Sequence, residues 1–330
     1  MESEEAQAIL LSFSPLDPRI APTNESPMKI AMVEPGGFRA TFQYTHNLCN
    51  ALGRKGHEVI LVTATEYETE NFPREYEAIK VFDRFKPRFK LLGELKRRMA
   101  EFQPDVLHIQ GHSHPTSYQL TRWWISRACS PPPRFVYTAQ DVIPKKPFPH
   151  HFPALRRLYR VAEHIFVNAE HNKQTVVDRF KADPDKISVH PIPDLLDFLK
   201  VENPERSDLV PADKKVILFF GNIEPRKGVG PLIDSFPAIL EKIPDAYLLI
   251  AGKPMGDDAS VYERQIAALP AEVRAQINFH PNYLPLEELP KVLTHIHATA
   301  MAYTEGWNSG AIATAFGYGK PVIASNIGGF

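Results

Sequence analysis

Cysteine is scarce in this sequence, and several other features are missing. Its 330 residues include two cysteines, Cys49 and Cys129, so a disulfide framework is not expected and a reducing compartment, the cytoplasm, is favoured. Apolar runs fall short of the roughly 18 residues of a membrane span, and the acidic start lacks the basic region of a secretory signal. The 38 basic residues balance 39 acidic ones, so the overall charge gives no reason to expect nucleic-acid binding.

In place of these features the sequence alternates short apolar runs with segments of helical period. KIAMV (29–33), EVILVT (58–63) and DVLHIQ (105–110) are rich in Val and Ile, as strands buried on both faces of a parallel sheet should be. Prolines and charges interrupt the alternation over 192–215, and it restarts at KVILFF (215–220). We therefore predict an α/β protein with two Rossmann-like, doubly wound parallel-sheet domains that face a central cleft.

The same alternation divides the chain into four parts. We predict a flexible tail over residues 1–27, a first Rossmann-like domain over 28–195, a linker over 196–214 and a second Rossmann-like domain over 215–330. Ligands bind beyond the carboxyl ends of strands in such sheets, so the functional residues are expected in the loops that follow the apolar runs.

The stretch FFGNIEPRKGVGPLIDSF (219–236) places two cations between a strand and a helix. Gly221 allows a turn at the strand end, and Arg226 and Lys227 lie next to a helix start whose first N–H groups carry partial positive charge. This arrangement predicts a pyrophosphate site. The order Lys-Gly-Val is not that of a Walker A loop, so a magnesium-bearing P-loop is rejected. The alternative is that both cations lie in a solvated turn.

A second candidate site lies in the stretch AYTEGWNSGAIATAFGYGKPVIAS (302–325). Glu305 follows a predicted strand, and Asn308 or Ser309 is placed to cap the next helix. A carboxylate at this point suits hydrogen bonds to sugar hydroxyls and stabilisation of positive charge at an anomeric carbon. The alternative is an ordinary exposed loop glutamate.

The first domain carries a third group of candidates. Gly36 and Gly37 separate a strand from a helix, although the G-x-G-x-x-G fingerprint of dinucleotide binding is absent. His108, His112 and His114 are grouped at another strand end and could serve as a general base or hold a substrate hydroxyl. Metal binding is the alternative for these histidines, but no acidic partner accompanies them at ligand spacing.

The first domain contains two further patterns with more than one interpretation. Asp183-Pro-Asp185 resembles a metal-binding D-x-D, but its proline and its place before a strand favour a turn. The basic segment 84–98, within a predicted helix over 83–99, could make a weak peripheral contact with an anionic membrane. A solvated helix face is the alternative for that segment.

From residue 28 to 330 the sequence resembles the GT-B glycosyltransferases of family 4, also called glycosyl transferases group 1. The motifs that carry the resemblance are PGG with LGRKGHEVILVT, TAQDVIP, FFGNIEPRKGVGPLIDSF, YLLIAGK and EGWNSGAIATAFGYGKPVIASNIGG. The resemblance implies transfer of a sugar from a UDP- or GDP-linked donor to a glycan, lipid-linked or small-molecule acceptor. It also implies retention of anomeric configuration, with no cofactor and no bound metal.

The resemblance also implies roles for particular residues. Arg226 and Lys227 match the pair that neutralises the leaving diphosphate, and Glu305 matches the first glutamate of an E-x7-E element. Asp141 joins these three as a catalytic candidate. The remaining candidates are Gly36, Gly37, Gly221, Asn222, Trp307, Asn308, Ser309 and Gly310 for the donor and His112, His114 and Gln140 on the acceptor side. On this basis the first domain would bind acceptor and the second would bind donor.

The sequence departs from the family pattern at four points. Ala313 stands where the second glutamate of E-x7-E is expected, Gln140 replaces a histidine and Asn222 replaces an arginine. The family also continues beyond a position equivalent to Phe330, so the second domain is expected to be incomplete. These departures leave open a catalytically weak or inactive protein that binds sugar nucleotides or glycans. An epimerase of the same two-domain plan is less favoured, because no acid and base residues are paired for epimerisation.

Overall fold

The computed structural model describes residues 26–83, 86–111, 114–144, 147–255, 259–305 and 309–327. Most of the predicted N-terminal tail, residues 1–25, therefore lies outside the described residues. Two separate sheets account for all the named strands in the described part of the chain, one of eight strands and one of five.

The first sheet is formed by the apolar runs of the first half of the chain. Its strands are β1 (Lys29–Glu34), β2 (Glu58–Ala64), β3 (Glu77–Asp83), β4 (Lys86–Pro87), β5 (Val106–Gly111), β6 (Arg134–Ala139), β7 (His164–Val167) and β8 (Ile187–Val189). They are ordered β4-β3-β2-β1-β5-β6-β7-β8, and only β4 runs antiparallel to its neighbour. The interior positions of β1 are buried because helices cover both faces of a parallel sheet.

Helices connect these strands as the predicted crossovers. They are α1 (Arg39–Arg54), α2 (Phe89–Phe102), α3 (Pro115–Ala128), α4 (His151–Val161) and α5 (Glu170–Phe180). The helix predicted over 83–99 was wrong at its start, since Lys86 and Pro87 pair with the end of β3 and the helix begins only at Phe89. Pro87 disfavours helical geometry in the residue before it.

The Asp183-Pro-Asp185 pattern lies in a turn. The Asp183 carboxylate accepts a hydrogen bond from the Asp185 N–H at 3.0 Å, and residues 184–186 form a short 3₁₀ helix.

The second sheet is smaller and wholly parallel. Its strands are β9 (Lys215–Phe220), β10 (Ala246–Ala251), β11 (Ile277–His280), β12 (Ala298–Met301) and β13 (Val322–Ala324). Its helices are α6 (Val229–Lys242), α7 (Ala259–Ala267), α8 (Ala271–Arg274), α9 (Leu289–Leu293) and α10 (Gly310–Gly317). The two sheets confirm the predicted architecture of two doubly wound α/β domains.

Strand order determines where a ligand can bind. In the first sheet the order reverses between β1 and β5, and in the second it reverses between β9 and β12. A crevice opens at such a switch point because the loops leave to opposite faces of the sheet. The loops at these points are those after Glu34, Gly111, Phe220 and Met301, which carry most of the predicted site residues.

The segment between the domains packs against the second core. Leu196, Leu199 and Val210 are buried with the side chains of β9 and α6. On the other side, the Asn47 side chain on α1 donates to the carbonyls of Asp194 and Leu195, each at 3.1 Å. Residues 194–199 are therefore held between α1 and the second domain.

A buried histidine supports the same segment. The His46 ring meets the Phe198 ring edge-on at 4.7 Å between centroids. The Asn50 side chain donates to His46 Nε2 at 3.1 Å, and the Asn50 amide oxygen accepts from the Glu75 N–H, so Nε2 must carry no proton. Burial, followed by the charges of Arg74 and Arg54, lowers the pKa of His46 to about 4. The histidine is therefore neutral near pH 7.

We predict that acid weakens the fold through this histidine. Because the folded pKa of His46 lies below the ordinary 6.5, the unfolded chain takes up a proton first as the pH falls from about 6.5 to about 4. The free energy of unfolding should fall in that window by up to about 1.4 kcal/mol per pH unit from this group. Urea unfolding of the wild type and of His46→Gln tests this. An equal pH dependence of the two proteins would contradict the prediction.

Candidate functional site

Two loops of the second domain are joined through the backbone of Arg226. The Arg226 carbonyl accepts from the Thr304 N–H at 2.8 Å, from the Thr304 hydroxyl at 3.2 Å and from the Glu305 N–H at 3.4 Å. Residues 225–227 form a 3₁₀ turn after β9, and residues 304 and 305 follow β12. The structure therefore brings the turn with Arg226 and Lys227 against the loop with Glu305, and the roles assigned to these residues stay predictions.

The Arg226 guanidinium is partly neutralised by a carboxylate. Its Nε donates to Glu224 at 2.6 Å, and its Nη1 donates to the Glu305 carbonyl at 3.4 Å. Burial by itself would raise the pKa of Glu224, but the hydrogen bonds from Arg226 and Asn222 and the charges of Arg226 and Lys227 together outweigh burial, so this pKa is lowered. Glu224 also accepts from the Asn222 side chain at 3.3 Å. The carboxylate is therefore ionised and holds both side chains in place.

Lys227 lies at the carboxyl end of β9. Its ammonium nitrogen is 5.3 Å from the centroid of the Tyr303 ring, within the range of a cation–π contact. A Cβ atom built on Gly221 would lie 3.5 Å from the same nitrogen, so the ammonium group is beside the glycine turn. Tyr303 is buried, and burial raises the pKa of its hydroxyl. The lysine charge is thus positioned at the switch point of the second sheet.

The start of α6 adds partial positive charge at this point. Gly228 precedes the helix with φ of +70°, and no side chain caps the helix start. A Cβ atom on Gly228 would lie 1.7 Å from the Ala302 carbonyl oxygen. The glycine therefore lets the two loops approach, and no side chain caps the first N–H groups of α6, those of Val229 and Gly230.

We predict that Gly228→Ala separates these loops. An alanine at position 228 would have to adopt a left-handed backbone conformation, and its Cβ atom would clash with the Ala302 carbonyl oxygen. Gly319 has a similar φ of +66°, but a Cβ atom there would lie in open space, so Gly319→Ala is a matched control. Gly319→Ala should cost about 1 kcal/mol of stability and Gly228→Ala about 1 to 3 kcal/mol more. Urea unfolding of the two variants measures the difference, and equal losses would contradict the predicted contact.

The helix after Glu305 begins as predicted, but its cap differs. Ser309 occupies the N-cap position of α10 without making a side-chain cap. The prediction was that Asn308 or Ser309 caps this helix. The Ser309 side chain does not do so, since its hydroxyl lies 3.4 Å from the Tyr303 hydroxyl, and Asn308 is not described. A Cβ atom on Gly310 would lie 2.6 Å from Leu195 Cδ1 and 3.1 Å from Ala40 Cβ, so the helix start packs against α1 and the interdomain segment. Trp307 and Asn308 lie outside the described residues.

In the first domain the glycine loop is held by a buried carboxylate. Glu34 accepts from the Gly36 N–H at 3.0 Å and from the Gly37 N–H at 2.8 Å. Gly37 has φ of +75°, and a Cβ atom there would lie 2.7 Å from the Glu66 carbonyl oxygen. Both glycine N–H groups are therefore used inside the protein, and the donor role assigned to Gly36 and Gly37 stays a prediction.

The acceptor-side candidates follow the next strand ends. Gln140 donates to Gln110 at 3.1 Å and accepts from Asn168 at 3.1 Å, so three amides form a row across β5, β6 and β7. Asp141 is next in the chain, and its charge adds to the effect of burial that raises the pKa of Tyr159. His114 is exposed and precedes α3, whereas His112 lies outside the described residues.

The third histidine is not part of a surface cluster. His108 lies within β5, is buried and bonds through Nε2 to the Thr138 hydroxyl at 2.7 Å. Burial and then the charge of His164 lower the pKa of His108 to about 4. Its placement at a strand end with the other histidines was wrong, because the strand continues to Gly111. His108 is a neutral core residue.

Sequence reasoning missed a contact between the domains at this cleft. The Arg39 guanidinium carbon, at the start of α1, is 5.2 Å from the centroid of the Tyr283 ring in the second domain. The Tyr283 hydroxyl donates to the Asn222 side-chain oxygen. The sequence signal was a cation directly after the glycine loop, in the order Gly36-Gly37-Phe38-Arg39.

A pocket of about 360 Å³ lies elsewhere, on α4 and α5. Its lining consists of Phe152, Pro153, Arg156, Arg157, Arg160, Arg179 and Phe180. None of the predicted site residues lines this pocket, so it is separate from the cleft site.

Comparison with known proteins follows the division into two sheets. Residues 42–192 match the family model described as Glycosyltransferase Family 4, and residues 201–330 match the model described as Glycosyl transferases group 1. A D-inositol 3-phosphate glycosyltransferase of Corynebacterium efficiens is 32% identical over 178 residues, which cover 51% of this chain and 41% of that protein. The matches thus span about two fifths of the length of the first curated relatives.

Solved structures share the whole architecture at low identity. A glycosyltransferase of Rickettsia africae matches with a TM-score of 0.67 at 18% identity, over 93% of this chain and 81% of that one. The Anabaena protein HepE, solved in complex with UDP and glucose, matches with a TM-score of 0.66 at 16% identity, over 92% of this chain and 82% of that one. These likenesses establish the GT-B fold. With the two family models, they place the chain among the GT-B glycosyltransferases of family 4.

Proposed function

We propose that this protein transfers a sugar from a UDP- or GDP-linked donor to a glycan, lipid-linked or small-molecule acceptor. The observation that carries the proposal is the junction of Arg226, Lys227 and Glu305 through the Arg226 carbonyl. Departure of the nucleotide leaves negative charge on its diphosphate, and fixed cations beside a helix start stabilise that charge. The relative HepE, solved with UDP and glucose, supports a nucleotide-sugar donor.

Glu305 is proposed to act at the sugar. Its side chain is exposed, while its backbone N–H donates a hydrogen bond to the Arg226 carbonyl. A carboxylate beside the leaving diphosphate can accept hydrogen bonds from donor hydroxyls and stabilise positive charge at the anomeric carbon. Ala313, on α10, provides no second carboxylate. We propose that transfer retains the anomeric configuration, as the family resemblance implies.

The charge on the leaving group is proposed to be neutralised without a metal ion. Within the described ranges, no three or more His, Cys, Asp or Glu side chains are grouped so that they could hold a metal ion. Lys227 and the start of α6 supply positive charge that a metal ion provides in other phosphate sites. Closure of the two domains would exclude water and so limit hydrolysis of the donor.

The acceptor is proposed to bind to the first domain, near the carboxyl ends of β5 and β6. Gln140 and His114 lie there with Asp141. The Gln140 amide already bonds to Gln110 and Asn168, so it can shape the site but cannot titrate near neutral pH. Asp141 is the carboxylate among these three and could orient an acceptor hydroxyl by accepting its hydrogen bond.

A second candidate function is binding without turnover. It is favoured by Ala313 and by Gln140, because each position lacks the ionisable side chain that the family resemblance implies. A protein of this kind would bind a sugar nucleotide in the same cleft and leave it intact. Fold alone does not separate the two functions.

The proposed transfer is tested by following nucleoside diphosphate release with a panel of UDP- and GDP-sugars in the presence of EDTA. We expect release to rise when a suitable acceptor is added, with the same rate with and without EDTA. Donor binding without release across the acceptor panel would support the second function. A rate that depends on added metal would contradict the metal-free mechanism.

We predict that Lys227→Ala lowers turnover much more than stability. Removing one preorganised charge from a leaving-group site costs about 100-fold to 1,000-fold in kcat. Lys215→Ala is a matched control, because Lys215 lies at the opposite end of β9 and pairs with Asp245. Steady-state kinetics and thermal unfolding of both variants check the prediction. Unchanged kinetics in Lys227→Ala would remove the lysine from the phosphate site.

The place of action is proposed to be the cytoplasm, with a weak contact to membrane lipids through the basic segment 84–98. The described part of the chain contains no helix long and apolar enough to span a bilayer. Arg97 pairs with Glu94 and Glu101, and Arg98 pairs with Glu77, which reduces the charge that α2 presents to lipids. Arg84 lies outside the described residues.

A further inference from the structure

Arg39 extends from the first domain to the donor side of the cleft. Its guanidinium carbon lies over the Tyr283 ring at 5.2 Å, and the Tyr283 hydroxyl bonds to Asn222. Asn222 directly follows Gly221 at the carboxyl end of β9. A single aromatic side chain therefore separates the Arg39 charge from the position where the family pattern has an arginine.

The positive charge fixed on the second domain is small for a diphosphate. Glu224 pairs with Arg226 at 2.6 Å and lies beside Asn222. Lys227, next in the chain, contacts the Tyr303 ring. A departing nucleoside diphosphate carries more negative charge than these two cations, one of them paired with a carboxylate, can balance, so a further cation would stabilise it.

The backbone of Arg39 is held in an unfavourable conformation. Its φ of +69° lies in the left-handed region, which is uncommon for residues other than glycine. The Arg39 N–H donates to the Glu68 carboxylate at 2.9 Å, and the Gln43 side chain donates to the same carboxylate oxygen at 3.2 Å. Strained residues of this kind persist where the surrounding structure fixes them, and they are concentrated at functional sites.

We propose that Arg39 supplies the cation missing at position 222 and binds the donor diphosphate from the opposite domain. This inference rests on the proposed function, since it assigns a new residue to the same site. The Arg39 guanidinium would donate hydrogen bonds to phosphate oxygens, either after moving off the Tyr283 ring or while still in contact with it. Phosphate oxygens are strong acceptors of such charge-assisted hydrogen bonds. Neutralisation of the diphosphate is then complete only when the two domains are together.

The test compares binding of nucleoside diphosphate and nucleoside monophosphate by calorimetry, with UDP and UMP or GDP and GMP. Arg39→Gln should weaken diphosphate binding by about tenfold or more and leave monophosphate binding nearly unchanged, because one charge-assisted contact is lost. Arg39→Lys should keep part of the affinity. Asn222→Arg, introduced into Arg39→Gln, should restore diphosphate binding by returning a cation to the second domain.

Several results would overturn the inference. Equal losses of affinity for the two nucleotides in Arg39→Gln would indicate a general effect on folding or on the contact between the domains. Thermal unfolding of the variant would then also show a loss of stability. Unchanged diphosphate affinity in Arg39→Gln, with a wild type that turns over donor, would remove Arg39 alone from the site and leave the proposed function intact. A wild type that binds neither diphosphate would overturn both the inference and the proposed function.

Discussion

The candidate site depends on the Arg226 carbonyl, which holds the loop after β12 against the turn after β9. These two strands lie side by side at the switch point of the second sheet, so their loops can meet although residues 226 and 304 are far apart in the chain. Gly228 allows the close approach because it has no Cβ atom. One backbone acceptor thus joins the turn that carries Arg226 and Lys227 to the loop that carries Glu305.

The charges around this junction are arranged as partners rather than as a free cationic patch. The Glu224 carboxylate accepts hydrogen bonds from Arg226 and Asn222. The Lys227 ammonium group lies over the Tyr303 ring, and the Arg39 guanidinium, from the other domain, lies over the Tyr283 ring. The Glu224 carboxylate lowers the net positive charge of the site, and all of these contacts keep the side chains in defined positions. A bound diphosphate would draw on these cations without the free-energy cost of ordering flexible side chains.

Much of the fold could be predicted from the sequence, because apolar runs such as KVILFF are readable as buried parallel strands and glycines mark their ends. The meeting of Arg226, Lys227 and Glu305 was also predictable, since it follows from strand ends at one edge of a sheet. The use of Gly36 and Gly37 N–H groups by Glu34 was not, because a buried carboxylate looks like any glutamate in a sequence. The Arg39–Tyr283 contact depends on the approach of two domains, which no local pattern encodes.

The most direct test is a crystal structure of the protein with a bound nucleoside diphosphate. We expect phosphate oxygens within hydrogen-bonding distance of the Lys227 ammonium group and of the first N–H groups of α6, with the Arg226 guanidinium beside them. Phosphates located away from this corner, for example in the arginine-lined pocket on α4 and α5, would show that the donor diphosphate does not bind at Lys227.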